Sequence, residues 1–375
     1  MLGEQNRLVD FPSLEGMTYL NTAAESIPPR TIHEAAENYW QHKSMGMAGR
    51  DYHYAELEVC REAAARMLEK EPSEVSFCSC SSEAYNLLGS ALGLKAGDEV
   101  VVSDLDFPAG ATPWLIGEVR PEVRLWQNRG GVLELEDLEL LLTERTRLVQ
   151  VSLVSFLNGW RLPWAPFRDM VRKLAPNAVL SVDVTQAFGR VELDCLDADC
   201  LISSTHKWIL GYHGGCVVAI PEARAEQITT RAGGWFHIDN AFDADRFGRA
   251  NIRQGAASFS VGMPNFPAIY ALRAAMDYIQ SIGVAAIAEH ADPLVELVHE
   301  GLGELGIKTM APFQADVRAG IVAFQHEKTD EIHQSLLKED IHVMHHAGRI
   351  RIAMHGYNTS ADVERLLAEV YSVGC

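Results

Sequence analysis

Lys207 and Asp183 are the two residues around which chemistry can be organised. Lys207 lies in Ile202-Ser203-Ser204-Thr205-His206-Lys207-Trp208, just after the short apolar run Cys200-Leu201-Ile202. A second apolar run, 215–220, follows almost at once, so the pattern reads strand, loop, strand, with the lysine at the strand mouth. Upstream, Val179-Leu180-Ser181-Val182-Asp183-Val184 has the pattern of a buried strand that ends on a carboxylate. A lysine amine can condense with an aldehyde to give a Schiff base. A carboxylate can keep a ring nitrogen protonated, so that the ring takes up electrons. Either residue alone also suits a solvated loop lysine or a strand-capping aspartate. Together, as Asp183-x-x-Gln186 and Ser204-x-His206-Lys207, they suit a site for pyridoxal 5′-phosphate (PLP).

Other segments carry matching chemistry. In Cys80-Ser81-Ser82-Glu83-Ala84-Tyr85-Asn86 a strand turns into a helix. Two hydroxyls and unpaired backbone N–H groups there can cradle a phosphate, although the same serines suit an ordinary N-cap. Phe107, in Asp104-Leu105-Asp106-Phe107-Pro108, sits at another strand mouth, where an aromatic ring can lie on a pyridine or simply fill core. Asn158-Gly159 closes a strand, and the amide can bond a ring oxygen or make a turn. Arg349 and Arg351 alternate with apolar residues, so both face one side of a strand. There a guanidinium can clamp a substrate carboxylate, or the pair can guard a sheet edge. His342, His345, His346 and His355 lack acidic or cysteine ligands at zinc spacing, so no metal site is expected.

Positioning these residues requires a scaffold. Strand patterns fall at 75–80, 99–103, 123–126, 147–152, 178–184 and 200–204, and helical patterns at 31–41, 54–69, 82–94, 136–142 and 166–174. That alternation predicts an α/β fold, a mostly parallel sheet with helices on both faces. The runs 200–204 and 216–220 are joined too briefly for a crossover helix and should pair antiparallel. Long helices near 266–282 and 284–305 then lead to strands at 320–324 and 349–354 and helices at 330–339 and 361–371. The expected division is a large PLP-binding domain, 17–260, and a small α+β C-terminal domain, 261–375, with segment 1–16 packed alongside.

The chain has 375 residues, 47% hydrophobic and 22% charged, with a formal net charge of −19. That acidity argues against nucleic-acid and anionic-membrane partners. No apolar run is long enough to span a bilayer, and the first residues lack the apolar core of a signal peptide. Seven scattered cysteines, an odd number, suit reduced thiols and a cytoplasmic location.

The chain resembles the class V aminotransferase superfamily, PLP enzymes of the aspartate-aminotransferase-like fold, from about Tyr19 to Val370. The pieces carrying the resemblance are 21–24, 81–83, 183–187, 204–207, 259–265 and 351–359. It implies that Lys207 is the Schiff-base lysine and Asp183 the pyridinium partner. It implies that Gln186 or Asn158 contacts the ring oxygen, and that Ser81, Ser82, Ser204 and His206 serve the phosphate. Phe107 falls at the ring-stacking position, Arg351 matches the arginine for the substrate carboxylate, and Asn21 falls in a substrate-binding segment. A homodimer is implied, each site completed by the neighbour's Gly-x-Pro-Asn loop. Three departures point away from the cysteine desulfurase branch, toward isopenicillin N epimerase-like and kynureninase-like proteins. Phe107 replaces a common histidine, Met263 replaces a common threonine, and 342–348 is short and without cysteine. Cys375 is the one thiol read as mobile, the others falling in helical or apolar runs. The expected function is an aminotransferase using a small amino acid and a keto acid, with epimerase or β-lyase chemistry as the alternative. Cysteine desulfurase, a metal hydrolase and a non-catalytic PLP-fold dimer are the rivals.

Overall fold

The apolar runs become strands whose residues alternate between two cores. In the computed structural model, which describes residues 1–116, 120–313 and 319–374, the chain opens with α1 (Glu4–Asp10) and the short strand β1 (Thr18–Tyr19). Helices α2 (Arg30–Ser44) and α3 (Arg50–Met67) follow. Next come β2 (Val75–Cys78), α4 (Ser81–Leu92), β3 (Glu99–Ser103), α5 (Pro108–Leu115), β4 (Glu122–Trp126) and α6 (Leu135–Glu139). After them come β5 (Thr146–Ser152), α7 (Trp164–Leu174), β6 (Val179–Asp183), β7 (Cys200–Ser204) and β8 (Cys216–Ala219). Helices α8 (Phe266–Ile282) and α9 (Val284–Glu304) lead to β9 (Ile321–Gln325) and α10 (Thr329–Lys338). The chain closes with β10 (Ile341–His342), β11 (Met344–His346), β12 (Arg349–Ala353) and α11 (Ser360–Gly374).

Seven strands form one sheet in the order β2-β8-β7-β6-β5-β3-β4. The pairs from β4 through β7 are parallel, and β8 runs antiparallel to both β7 and β2, as the short 204–216 connection requires. Val101, Val149, Leu180 and Val182 enter one apolar core with α3, α7 and α8. Val100, Val102, Val179 and Ile202 enter a second core with α4 and Trp114. Because helices cover both faces, these strands read as nearly continuous apolar runs rather than alternating ones.

A three-stranded sheet, β11-β12-β9, packs Ile350, Ile352, Val322 and Phe324 against α9, α10 and α11 in a third core. The N-terminal segment lies against it. Strand β1 pairs with β10, and Arg7 bonds Asp362 at 2.8 Å.

Three differences from the sequence pattern bear on the candidate site or its branch. Strand β2 stops at Cys78, so Cys80 leaves the apolar run and becomes the exposed N-cap of α4. Helix α5 was not legible, because Pro108, Gly110 and Pro113 all lie within it. The stretch 342–348 is no loose loop. Strand β11 returns into β12 through Ala347 and Gly348, both at positive φ (52° and 70°), as a two-residue hairpin turn requires. Cys375 lies outside the described residues. No helix of the described chain is long and apolar enough to cross a membrane.

Candidate active site

The parallel strands β3, β5, β6 and β7 present their carboxyl ends along one edge of the sheet, the edge where open α/β sheets bind ligands. Phe107 follows β3, Phe156 follows β5, Asp183 ends β6 and Lys207 follows β7. The arrangement therefore comes from the topology, which gathers residues far apart in sequence.

Lys207 is half-buried, with its amine 5.3 Å from the centre of the Phe107 ring. Burial pulls the amine down to about 8. Asp183 and Glu25 draw it upward and Arg351 pushes it down, so all three lie within electrostatic reach. Phe107 is itself 44% exposed and packs edge-on against Phe156 at 5.1 Å. Arg351 is 2% exposed and donates to the Phe156 carbonyl at 2.8 Å. Burial first, and the neighbouring Arg349 second, pull its guanidinium down to about 10.

Asp183 is buried and held at both oxygens. The Thr185 amide donates to Oδ1 and the Tyr85 hydroxyl to Oδ2, each at 2.8 Å. Burial, followed by the adjacent carboxylate, pushes the Tyr85 phenol far above its ordinary value, so it stays a donor. Gln150 in turn donates to the Tyr85 oxygen at 3.4 Å. The sequence reading missed Tyr85, which looks like an ordinary buried helix position until α4 is laid beside β6.

Ser81 and Ser82 occupy the first turn of α4, whose cap receives no side-chain hydrogen bond. The first-turn N–H groups are thus free of side-chain caps, and the helix dipole favours an anion there. Glu83 turns away to accept from the Ser79 amide and hydroxyl, both at 2.6 Å. A cavity of about 140 Å³ adjoins this turn, lined by Ser79, Glu83, Gly214 and Met263 but by neither Lys207 nor Asp183. Ser204 is buried at the end of β7, its amide bonded to the Thr185 hydroxyl at 3.0 Å. His206 stacks on His213 at 4.2 Å, and burial, then Lys207 and His213, pull it down to about 4. It is therefore neutral near pH 7.

The two amides proposed for a ring oxygen are largely engaged elsewhere. The Asn158 amide donates to the Gly131 carbonyl at 2.7 Å, and its oxygen accepts from the Trp160 amide at 3.1 Å. The Gln186 oxygen accepts from the Trp208 indole at 2.6 Å, while its nitrogen donates to the Ala23 carbonyl at 3.1 Å. That indole donates only, so it fixes the Gln186 amide orientation and leaves one N–H to spare. Asn21 bridges Ala353 through its backbone and buries an Oδ1 that has no partner.

The loop bearing Lys207 is pinned on both sides. The His206 carbonyl accepts from the Ser26 amide and hydroxyl at 3.0 and 3.1 Å. The Trp208 carbonyl accepts from His355 Nε2 at 2.8 Å. His355 Nδ1 accepts from the Gly356 amide at 2.7 Å, which fixes the neutral tautomer with the proton on Nε2. Gly320 makes room for Trp208, since a Cβ there would lie 2.5 Å from the indole. Of the other late histidines, His342 bonds Asp340, and His345 lies between Asp330 and His333.

This donor set fits PLP. An amine of lowered basicity suits its aldehyde, an oriented carboxylate its ring nitrogen, a half-exposed aromatic face its ring, and an uncapped helix start its phosphate.

The uncharacterized aminotransferase YcbU of Bacillus subtilis is 26% identical, over 98% of this chain and 97% of that protein. A cysteine desulfurase of Salmonella newport is also 26% identical, over 96% and 95% of the two chains. The apo cysteine desulfurase of Thermococcus onnurineus superposes with a TM-score of 0.88 at 24% identity, covering 100% of this chain and 99% of that one. A cystine C-S lyase solved with its product cysteine persulfide gives 0.88 at 22% identity, covering 97% and 100%. These two likenesses carry the fold. The aminotransferase class-V profile matches residues 18–366, which takes in every strand end described above, and the chain belongs to that family.

Proposed function

We propose that this chain is a transaminase that exchanges an amino group between a small amino acid and a keto acid. Its cofactor is pyridoxal 5′-phosphate, which when bound supplies a sink for the electron pair left on the substrate α-carbon. The observation that carries the reading is the grouping of Lys207, Asp183, Phe107 and Arg351 at one sheet edge. Asp183, held by Tyr85 and Thr185, keeps a ring nitrogen protonated. Lys207, its amine held near 8, carries a proton to and from the α-carbon. Arg351 binds the substrate carboxylate, and the first turn of α4, with Ser204 and His206, serves the phosphate. Gln186, with one amide N–H to spare, would bond the ring oxygen and Asn21 would meet the substrate, while the Asn158 amide is engaged by Gly131.

Transamination needs no residue beyond these. A place outside the desulfurase branch is supported by the tight β11–β12 hairpin, which carries no cysteine and no slack for a mobile thiol. A homodimer is supported by Phe242 and Phe247, 82% and 92% exposed. The large and small domains, divided near residue 260, are supported by the separate core beneath β9, β11 and β12. The unpaired thiols suit a cytoplasmic location.

A second reading, sulfur transfer, is favoured by Cys80 alone, an exposed thiol at the start of α4. One experiment separates the readings. The purified protein is mixed with a panel of amino acids while the cofactor spectrum and products are followed. Keto acid, with conversion of the cofactor to its amine form, supports transamination. Loss of α-deuterium with inversion and no keto acid points to epimerisation, and sulfide with alanine points to desulfuration.

A further inference from the structure

We propose that the site takes dianionic amino acids, with Arg351 on the α-carboxylate and Arg349 on a second anionic group of the side chain. The inference rests on the transaminase reading for Arg351 and extends it to substrate class.

Arg349 and Arg351 are 6% and 2% exposed, and each has a buried Nε with no partner. Among the described residues neither meets a carboxylate. The other two buried arginines among the described residues do: Arg7 faces Asp362 and Arg190 faces Asp292, at 2.8 and 2.7 Å. A buried charge without a counterion costs folding free energy, so two side by side point to an anion that arrives later.

Both guanidiniums face the candidate site. Ile350 and Ile352 take the core side of β12, which puts Arg349 and Arg351 on the opposite face. Phe156 touches both. Arg351 bonds its carbonyl, and the Arg349 guanidinium lies 5.8 Å from its ring centre. The same ring packs on Phe107, whose face meets the Lys207 amine. The cross-strand partners on this face are Ala323 and Met344 for Arg351, and Gln325 and His346 for Arg349. None is acidic, so no cross-strand neighbour on this face neutralises either guanidinium.

Residues two apart on a strand lie about 6.6 Å from each other along it. That spacing suits two anionic groups joined by a few carbons, as in aspartate and glutamate. A side-chain sulfonate or phosphate presents the same chemistry at similar reach.

The test compares kcat/KM for aspartate, glutamate, cysteate, O-phosphoserine and alanine in the wild-type protein, Arg349→Gln and Arg349→Lys. Arg349→Gln should lose about 10- to 100-fold more on the dianionic donors than on alanine, with Arg349→Lys between. Which of the four dianions is turned over fastest identifies the second group. In parallel, melting of the wild-type holoenzyme is followed with succinate, glutarate and butyrate. Succinate or glutarate should protect at concentrations where butyrate does not. Equal protection by all three, or equal losses on alanine and the dianions, overturns the proposal. If no amino acid reacts at all, the transaminase reading fails, while the melting comparison still decides whether this face binds dianions.

Discussion

The Tyr85 hydroxyl reaches across from α4 to donate a 2.8 Å hydrogen bond to Asp183 Oδ2 at the end of β6. Under the proposed function, one helix would offer its first turn to the phosphate and, one turn later, orient the carboxylate proposed for the ring nitrogen. Tyr85→Phe should keep the buried ring and lose only this bond. Turnover should fall about 10-fold, the scale of one hydrogen bond to a charged group. Asp183→Asn should fall about 100-fold or more, because a neutral amide cannot keep the ring nitrogen protonated. Cofactor uptake, followed by absorbance, should change far less in both. Near-normal turnover in Asp183→Asn would remove the aspartate from the mechanism.

Lys207 should govern how the apoprotein takes up PLP with pH. Burial holds the amine at about 8 in the folded chain, against an ordinary value of 10.5. Below pH 8 it is protonated and unreactive, so the rate of covalent uptake should rise as pH rises through 8. Borohydride reduction should leave the cofactor on the Lys207 peptide. The stability effect has a definite sign. Between pH 8 and 10.5 the unfolded chain binds the extra proton and the folded chain does not. The lysine's burial therefore opposes folding fully below about pH 8, and that penalty fades as pH approaches 10.5. Label on another lysine, or uptake that is flat across this range, counts against the assignment.

Gly159 should tolerate no side chain. Its φ is +82°, and a Cβ would lie 2.2 Å from the Ile321 carbonyl at the start of β9. Gly159→Ala should lower unfolding free energy by about 2 kcal/mol or more, read from urea denaturation. An unchanged midpoint would mean that the 158–160 turn and β9 do not pack as described.

Thiol chemistry gives the sharpest check on the branch. Incubation with cysteine and a reductant should release no catalytic, equimolar sulfide and alanine. If both are released, and either Cys80→Ser or Cys375→Ser abolishes the release, the protein is a desulfurase. The structure adds Cys80 to this test, because ending β2 at Cys78 exposes its thiol.

How much of this was legible in the sequence depends on how local each signal is. The strands of the large sheet were readable because helices on both faces force unbroken apolar runs, as in Val100-Val101-Val102. Asp183 was readable because it ends such a run, and Lys207 because it closely follows one. Tyr85 was not, since its partner lies 98 residues away and its own surroundings suggest only a buried helix face. The Asn158 and Gln186 amides were readable as polar groups near the site, but not that Gly131, Trp160, Trp208 and Ala23 would engage them. The β11–β12 hairpin was hidden because its turn uses Ala347 at a positive φ, where glycine or asparagine is the usual signal.

The pins around Lys207 also set an order of events during synthesis. Ser26, which holds the His206 carbonyl, comes 180 residues earlier, and His355, which holds the Trp208 carbonyl, comes 147 residues after its partner. Contacts of such sequence separation form late, after the loops between them have closed. The strands from β3 through β8, whose partners lie much closer in sequence, can therefore pair while the lysine loop still lacks His355. A nascent chain that has not yet delivered His355 would carry the lysine without its final orientation. The yellow colour of the loaded protein would then report completion of the whole chain's folding, and its delayed appearance in refolding would time the last docking step.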